Sequence, residues 1–346
     1  HLDSNARACV AKYLSGKKGF ILVSHDRMFL DGCIDHILSI NKTNIEIQKG
    51  NFSSWWHNKQ LQDGFERSEN EKLRKEIKKL SDSAKRTASW ASQVEASKYG
   101  TLNSGLRPDR GYIGHKAAKM AKRSKTIQAR QQDAVSEKAK LLKNIEEADH
   151  LSITPIEYPL NQLAVLSDVS ISYGENVVCE NVSFTVERGD RIAIKGKNGS
   201  GKSSILRLIL GETISHTGAV WTGSQLKISY VSQDTSFLKG SLKDFVTDHH
   251  LDESLFKVIL SKLDFSSIQF DKNMENFSEG QKKKVLIAKS LCEQAHLYIW
   301  DEPLNFIDVL SRIQIENLIA AYKPTLIFVE HDSIFCEKIS IKEIIL

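Results

Sequence analysis

A glycine-rich loop in the second half of the chain carries the clearest chemistry. It follows the short apolar run Ile192–Lys195 and precedes a helical run, and its residues are Gly196, Lys197, Asn198, Gly199, Ser200, Gly201, Lys202, Ser203 and Ser204. Glycines in such a loop let backbone N–H groups turn inward around phosphates. Lys202 adds positive charge toward the β- and γ-phosphates, and Ser203 can coordinate Mg²⁺. The pattern predicts a loop that binds the phosphates of a nucleotide together with Mg²⁺.

Two carboxylates end a second apolar run, about 100 residues further along the chain. Asp301 and Glu302 follow His296–Trp300. Taken alone, two acids in this position are more often a solvated strand end. Their distance from the phosphate loop favours a catalytic pair, in which Asp301 holds Mg²⁺ and Glu302 orients or deprotonates the attacking water.

A polar helix start lies between these two motifs. Four residues open the helical run that continues from Lys282 to Leu291, and these are Ser278, Glu279, Gly280 and Gln281. Backbone amides at a helix start can bind phosphate, whereas the simpler interpretation is an ordinary N-cap.

Three zones of different composition position these motifs. Residues 1–58 contain a strand-like run, Gly19–Ser24, which predicts a buried parallel strand, and two further runs, 37–40 and 45–48, which predict a hairpin. Residues 151–346 alternate strand and helix patterns and predict one complete α/β domain.

The middle zone, residues 59–150, predicts a helical hairpin. Two seams with alternating steps of three and four residues run over 73–94 and 117–145, and glycines and a proline interrupt them between 99 and 112. Helices of roughly 30 to 36 residues would hold this tip some 45 to 55 Å away.

Charge separates the middle zone from the rest of the chain. Residues 59–143 carry 21 Lys and Arg against 10 Asp and Glu, a net charge of +11, within a chain of +5. Basic side chains with interleaved Tyr99 and Tyr112 are typical of RNA binding. The alternative is a solvated hairpin that only spaces two domains.

Composition excludes several classes of protein. The chain of 346 residues is 40% hydrophobic and 26% charged, and no run approaches the roughly 18 to 20 apolar residues of a membrane span. The five cysteines occur singly, without a C-x-x-C pair, which favours reduced thiols and a cytoplasmic location. The opening residues predict no leader peptide and a chain whose first residues are missing.

The motifs together resemble the ATP-binding cassette (ABC) ATPases. Ser278–Gln281 resembles the signature usually written LSGGQ, although Phe277 and Glu279 depart from it, and residues 303–308 resemble the D-loop. The resemblance implies that Tyr173 stacks on adenine, that Gln233 senses Mg²⁺ and water, and that His331 contacts the γ-phosphate. The implied fold is an α/β P-loop NTPase domain.

The first zone resembles the end of another cassette. Residues 1–3 are similar to the end of a D-loop, and residues 23–26 to a second switch histidine region. The resemblance implies three parts: 1–58 is the C-terminal part of a first ABC cassette, 59–150 is a coiled-coil linker, and 151–346 is a complete second cassette.

This arrangement resembles the ABC-F proteins, and residues 109–120 are similar to the Lsa-type branch. The resemblance implies an ATPase that binds the ribosome, contacts 23S rRNA and tRNA, and protects it from lincosamides, streptogramin A and pleuromutilins, with hydrolysis driving release. Residues near the linker tip would tune drug specificity: Leu102, Arg107, Arg110 and Tyr112. The remainder of the first cassette is the implied partner within the same protein.

The same resemblance implies a limit, because each ATP is held between the phosphate loop of one cassette and the signature of the other. This sequence contains one of each, both from the second cassette. Little ATPase activity is expected from the chain by itself. The alternatives are a housekeeping ABC-F translation factor, the ATPase subunit of a transporter, and a DNA-repair ATPase with a coiled-coil insertion.

Overall fold

The computed structural model describes residues 4–40, 45–96, 151–174 and 176–346, together with scattered residues between 111 and 136. The chain forms two compact units, of which the larger combines residues 1–53 with 148–346 and the smaller comprises 54–147. The three-part division made from the sequence stays a prediction.

The larger unit begins with two helices and a hairpin. Helices α1 (Ser4–Ser15) and α2 (Arg27–Asp31) precede strands β1 (His36–Ile40) and β2 (Ile45–Lys49). The strands pair antiparallel, with Ile40 opposite Ile45, and this confirms the predicted hairpin.

Residues Gly19–Ser24 differ from their prediction, because they form no strand. The side chain of Ile21 is 98% exposed and that of Val23 is 88% exposed. A parallel strand is stable only where neighbouring strands accept its backbone hydrogen bonds and helices cover its faces. No strand among the described residues pairs with this run, and Ile21 and Val23 face solvent.

Helix α3, Phe52–Ala96, has 45 residues, and all but its first two lie in the smaller unit. It includes the first predicted seam, residues 73–94. With 45 residues it is longer than the predicted helices of roughly 30 to 36 residues, and at about 1.5 Å per residue it spans about 68 Å. The described residues between 111 and 136 are helical. The tip residues Leu102, Arg107, Arg110 and Tyr112 lie outside the described residues. None of the described helices has the length and apolar character needed to cross a membrane.

Two sheets build the rest of the larger unit. Strands β3 (Gln162–Tyr173), β4 (Asn176–Glu187) and β6 (His216–Thr222) form an antiparallel sheet of order β4-β3-β6. The second sheet is parallel and contains β5 (Arg191–Lys195), β7 (Ile228–Val231), β8 (Leu297–Asp301), β9 (Leu326–Val329) and β10 (Lys342–Ile345), in the order β10-β5-β9-β8-β7.

Helices follow many of these strands along the chain. They are α4 (Lys202–Ile209), α5 (Leu242–Asp248), α6 (Glu253–Lys262), α7 (Ser267–Phe270), α8 (Glu279–Cys292), α9 (Val309–Tyr322) and α10 (Ser333–Ile339). Every residue of β8 and β9 is buried, as expected for central parallel strands. The α/β fold predicted from the sequence is confirmed. The phosphate loop, Asp301 and His331 lie at or just after the carboxyl ends of these strands, where ligands bind in such sheets.

Candidate nucleotide site

The phosphate loop lies between β5 and α4, as its sequence predicts. Gly199 and Gly201 have φ angles of +82° and +86°, a region that L side chains rarely adopt. A Cβ on Gly201 would also lie 3.0 Å from Cγ1 of Val178 on β4. Glycine is therefore required where the loop turns into helix α4 and presents its backbone N–H groups.

Lys202 is held inside the loop. Its side chain is buried, and Nζ donates hydrogen bonds to the carbonyl oxygens of Gly196 at 3.0 Å and Lys197 at 2.8 Å. These bonds fix a positive charge at the start of helix α4, where the helix dipole also favours anions. The loop is thus arranged to bind a phosphate group.

Glu302 is positioned by three side chains from three different segments. Gln233 Nε2 donates to Oε2 at 2.9 Å, Asn305 Nδ2 donates to the same oxygen, and His331 Nε2 lies 3.7 Å from Oε1. The contact with His331 contributes most to holding the pKa of Glu302 below its usual value, against the opposing effect of burial. An ionised carboxylate at this position can orient water and accept its proton.

Asp301 is suited to a metal ion. It is 1% exposed, and burial raises the pKa of its carboxyl group, while a hydrogen bond from Ser203 acts in the opposite direction. Its buried Oδ1 has no hydrogen-bond partner in the described part of the chain. Such an orphaned oxygen beside a serine hydroxyl fits Mg²⁺, which takes oxygen ligands and usually keeps several waters.

Protein ligands alone would not complete such a site. The described residues contain no group of three or more His, Cys, Asp or Glu side chains that could hold a metal. Asp301 and Ser203 would hold the ion together with phosphate oxygens and water, and Gln233 would lie beside it. When bound, Mg²⁺ would neutralise phosphate charge.

A cavity of about 450 Å³ brings together ten of the residues predicted for the nucleotide site, whereas Gly196, Lys197, Ser200 and Asp301 do not line it. It is lined by Arg7, Tyr173, Val178, Asn198, Gly199, Gly201, Lys202, Ser203, Ser204, Gln233, Glu302, Asn305 and His331. Tyr173 is half-exposed at its edge, with its hydroxyl 3.0 Å from Ser204 Oγ. Its exposed ring is available for stacking on a base.

The predicted signature residues are placed elsewhere, since none of the four lines this cavity. Ser278 caps helix α8 and forms a capping box with Gln281, with the two N–H···O bonds at 3.0 and 3.3 Å. Glu279 accepts hydrogen bonds from Thr235 and Lys282. Gly280 packs against the carbonyl oxygen of Phe306, which a Cβ would overlap. The N-cap is confirmed, and a role in binding a second nucleotide stays a prediction.

Three lining residues were not among the predicted site residues. Asn305 lies in the segment that resembles a D-loop, and its hydrogen bond to Glu302 depends on the turn that follows β8. Val178 lies on β4 and contributes an apolar contact, for which the sequence has no signal. Arg7 comes from the other end of the sequence, and only the folding of the chain brings it to the cavity.

Comparison with known proteins supports this interpretation. Residues 179–305 match the family model described as ABC transporter. The ribosome protection protein VmlR of Bacillus subtilis is 27% identical over 358 aligned positions, which cover 98% of this chain and 61% of VmlR. The ATP-binding protein Uup of Buchnera aphidicola is 26% identical, over 97% of this chain and 53% of Uup. The chain thus spans about half to three fifths of the length of these relatives.

The family match covers the phosphate loop, the polar helix start and both carboxylates. The geometry places the loop, Glu302, Gln233 and His331 around one cavity. These are the parts that bind and hydrolyse ATP in such domains. We conclude that residues 179–305 are similar to the ATPase domain of ABC transporters and that the cavity is suited to binding ATP.

Proposed function

We propose that this chain is part of an ABC-F protein that binds the ribosome and protects it from antibiotics of the peptidyl transferase centre. The observation that carries the proposal is the extent of the relationship to VmlR, a ribosome protection protein, which covers 98% of the chain and so includes the helical middle zone. A match confined to the ATPase domain would support ATP hydrolysis alone.

The chemistry assigned to the site is hydrolysis of ATP. Lys202 binds the β- and γ-phosphates, Glu302 orients a water and accepts its proton, and His331 contacts the γ-phosphate. Gln233 and Asn305 keep the Glu302 carboxylate fixed through their hydrogen bonds. Fixing the base before the substrate arrives reduces the reorganisation needed during reaction.

A complete first cassette is proposed as the missing partner in the same protein. The chain spans 61% of VmlR, and it exposes apolar residues in the run Gly19–Ser24, which would lie inside the sheet of such a cassette. The nucleotide would then be held between the phosphate loop described here and the signature of the first cassette. On this basis the chain alone has little ATPase activity, and turnover equal to that of the two-cassette protein would contradict the assignment.

The basic middle zone is assigned to ribosomal RNA and tRNA. Its net charge of +11 over 59–143 neutralises phosphates, and a helix of 45 residues gives it reach. Leu102, Arg107, Arg110 and Tyr112 are proposed to set which drugs are displaced. Lincosamides, streptogramin A and pleuromutilins are the expected classes.

Growth inhibition in a drug-sensitive Gram-positive host tests the proposal. The host would express the complete gene, and the drugs would be lincomycin, tiamulin and erythromycin, with Glu302→Gln as the companion variant. Protection from the first two drugs but not from erythromycin, lost in the variant, is the expected result. Absence of protection from every drug would refute the resistance role.

A second candidate is a housekeeping translation factor of the same family. The ATP-binding protein Uup aligns with 97% of this chain at nearly the same identity as VmlR. The growth experiment separates the two, because a translation factor would bind ribosomes without changing the inhibitory concentration of any of the three drugs.

A further inference from the structure

Two arginines of the N-terminal segment, defined as residues 4–40, reach the loop that carries the switch histidine of the ATPase domain. Arg7 Nη1 on α1 donates to the carbonyl oxygen of His331 at 3.2 Å and also to Oδ2 of Asp26. Its side chain is 21% exposed and lines the nucleotide cavity. It is the cavity residue most distant in sequence from the phosphate loop.

Arg27 holds the residue next to the histidine. It is 5% exposed and pairs with both oxygens of Glu316 on α9, and its Nη2 lies 3.4 Å from Oδ2 of Asp332. Asp332 also accepts from Arg312 at 3.0 Å and caps helix α10. A carboxylate with three separate partners has little freedom to move without breaking a buried ion pair.

The two ends of the chain repeat one arrangement. Asp26 follows His25, caps α2 through the N–H of Phe29 at 2.9 Å, and pairs with Arg7. Asp332 follows His331, caps α10 through the N–H of Phe335 at 3.1 Å, and pairs with Arg312. The segments His25–Asp26 and His331–Asp332 therefore have equivalent local structures. Arg7, which pairs with Asp26, and Arg27, which follows it, both also contact the second segment, at His331 and Asp332.

We propose that Arg7 and Arg27 are positioning residues, supplied by the N-terminal segment, for the switch loop His331–Asp332 and hence for the γ-phosphate end of the nucleotide site. The inference rests on the proposed contact between His331 and the γ-phosphate. Arg7 fixes the peptide of His331, whose imidazole is 3.7 Å from Glu302, so docking of the N-terminal segment sets the position of both groups. The affinity for ADP, which lacks the γ-phosphate, does not depend on these two arginines.

Binding of ATP and ADP to the 346-residue chain, each with Mg²⁺, tests the proposal. Because Arg7→Gln removes one hydrogen bond to His331, we expect it to weaken binding of ATP about 3- to 10-fold and to leave the affinity for ADP unchanged. Arg7→Lys retains the charge but replaces the planar guanidinium, whose donors have fixed directions, with a compact ammonium on a flexible stem, so partial rescue is expected. Arg188→Gln, which removes an exposed arginine paired with Glu157, is the matched control and should change neither affinity.

A second background separates positioning from general stability. In His331→Ala, adding Arg7→Gln should not change the ATP-to-ADP ratio further, because the group that Arg7 positions is gone. The inference would be overturned if Arg7→Gln weakened binding of ATP and ADP equally. It would also be overturned if Arg7→Gln changed the ATP-to-ADP affinity ratio as much in His331→Ala as in the unaltered chain. If the unaltered chain binds neither nucleotide, the proposed ATP site itself fails as well.

A measurement without nucleotide keeps the proposal falsifiable where a variant folds poorly. The imidazole proton resonance of His331, identified by its loss in His331→Ala, should shift in Arg7→Gln and in the milder Arg27→Lys. The resonance of His296, which lies against Tyr158, should stay in place. An unmoved His331 resonance in both variants would overturn the inference.

Discussion

Lys283 is a buried residue that holds the backbone next to both Gln233 and Glu302. It lies on helix α8, is 2% exposed, and its Nζ donates to the carbonyl oxygens of Ser232 at 2.7 Å and Asp301 at 3.3 Å. Ser232 precedes Gln233, and Asp301 precedes Glu302. One ammonium group therefore fixes the backbone beneath both side chains.

The cost of Lys283→Met follows from these contacts. Burial lowers the pKa of Lys283, because a charged ammonium is less stable away from water. Nearby carboxylates, first that of Asp301, raise the pKa and partly offset this effect. Two charge-assisted hydrogen bonds contribute about 1.5 to 3 kcal/mol each, and removal of the buried charge returns part of this. The net loss is expected to be about 2 to 4 kcal/mol. At about 2 °C per kcal/mol, the value for a unit of about 250 residues, Tm falls by roughly 4 to 8 °C.

Thermal and urea unfolding of the chain measure this loss. Lys257→Met is the matched control, because Lys257 is on the surface of α6 in an i,i+4 pair with Glu253, and it should change stability by less than about 0.5 kcal/mol. A Lys283→Met variant as stable as this control would refute the argument that the ammonium supports the two backbone segments.

Three further predictions concern packing and exposure. Gly280→Val should destabilise the chain by about 1 to 3 kcal/mol, seen in urea unfolding, because its side chain would overlap the carbonyl of Phe306, whereas unchanged stability would contradict the contact. Thiol labelling should modify exposed Cys9 first and spare Cys336, since burial raises the pKa of the Cys336 thiol to about 12, and early modification of Cys336 would contradict its burial. Ile21→Lys should leave Tm of this chain unchanged, because the side chain is 98% exposed, and a marked fall in Tm would contradict that exposure.

The sequence predicted the parts of the fold that depend on local patterns. The predicted apolar run Ile192–Lys195 forms most of β5, and residues 297–301 form β8. Ser278, at the predicted polar helix start, is the N-cap of α8. Each of these depends on neighbours within a few residues, on short apolar runs or on a capping residue followed by a helix.

Predictions that depend on distant partners were less complete. Gly19–Ser24 has the composition of a parallel strand, yet composition does not supply the strands that must pair with it. Asn305 lies only three residues from Glu302, and its hydrogen bond depends on the conformation of the turn after β8. Arg7 reaches His331 only through docking of the N-terminal segment. Contacts of this kind are fixed by tertiary structure, which no spacing in the sequence specifies.

Ribosome association of the complete protein tests the central claim most directly. Cosedimentation would compare the unaltered protein with Glu302→Gln, in ATP and in ADP. If Glu302 drives hydrolysis and hydrolysis releases the protein, the variant should remain on ribosomes in ATP, and both proteins should be released in ADP. A variant that sediments with ribosomes no better in ATP than in ADP would contradict the account.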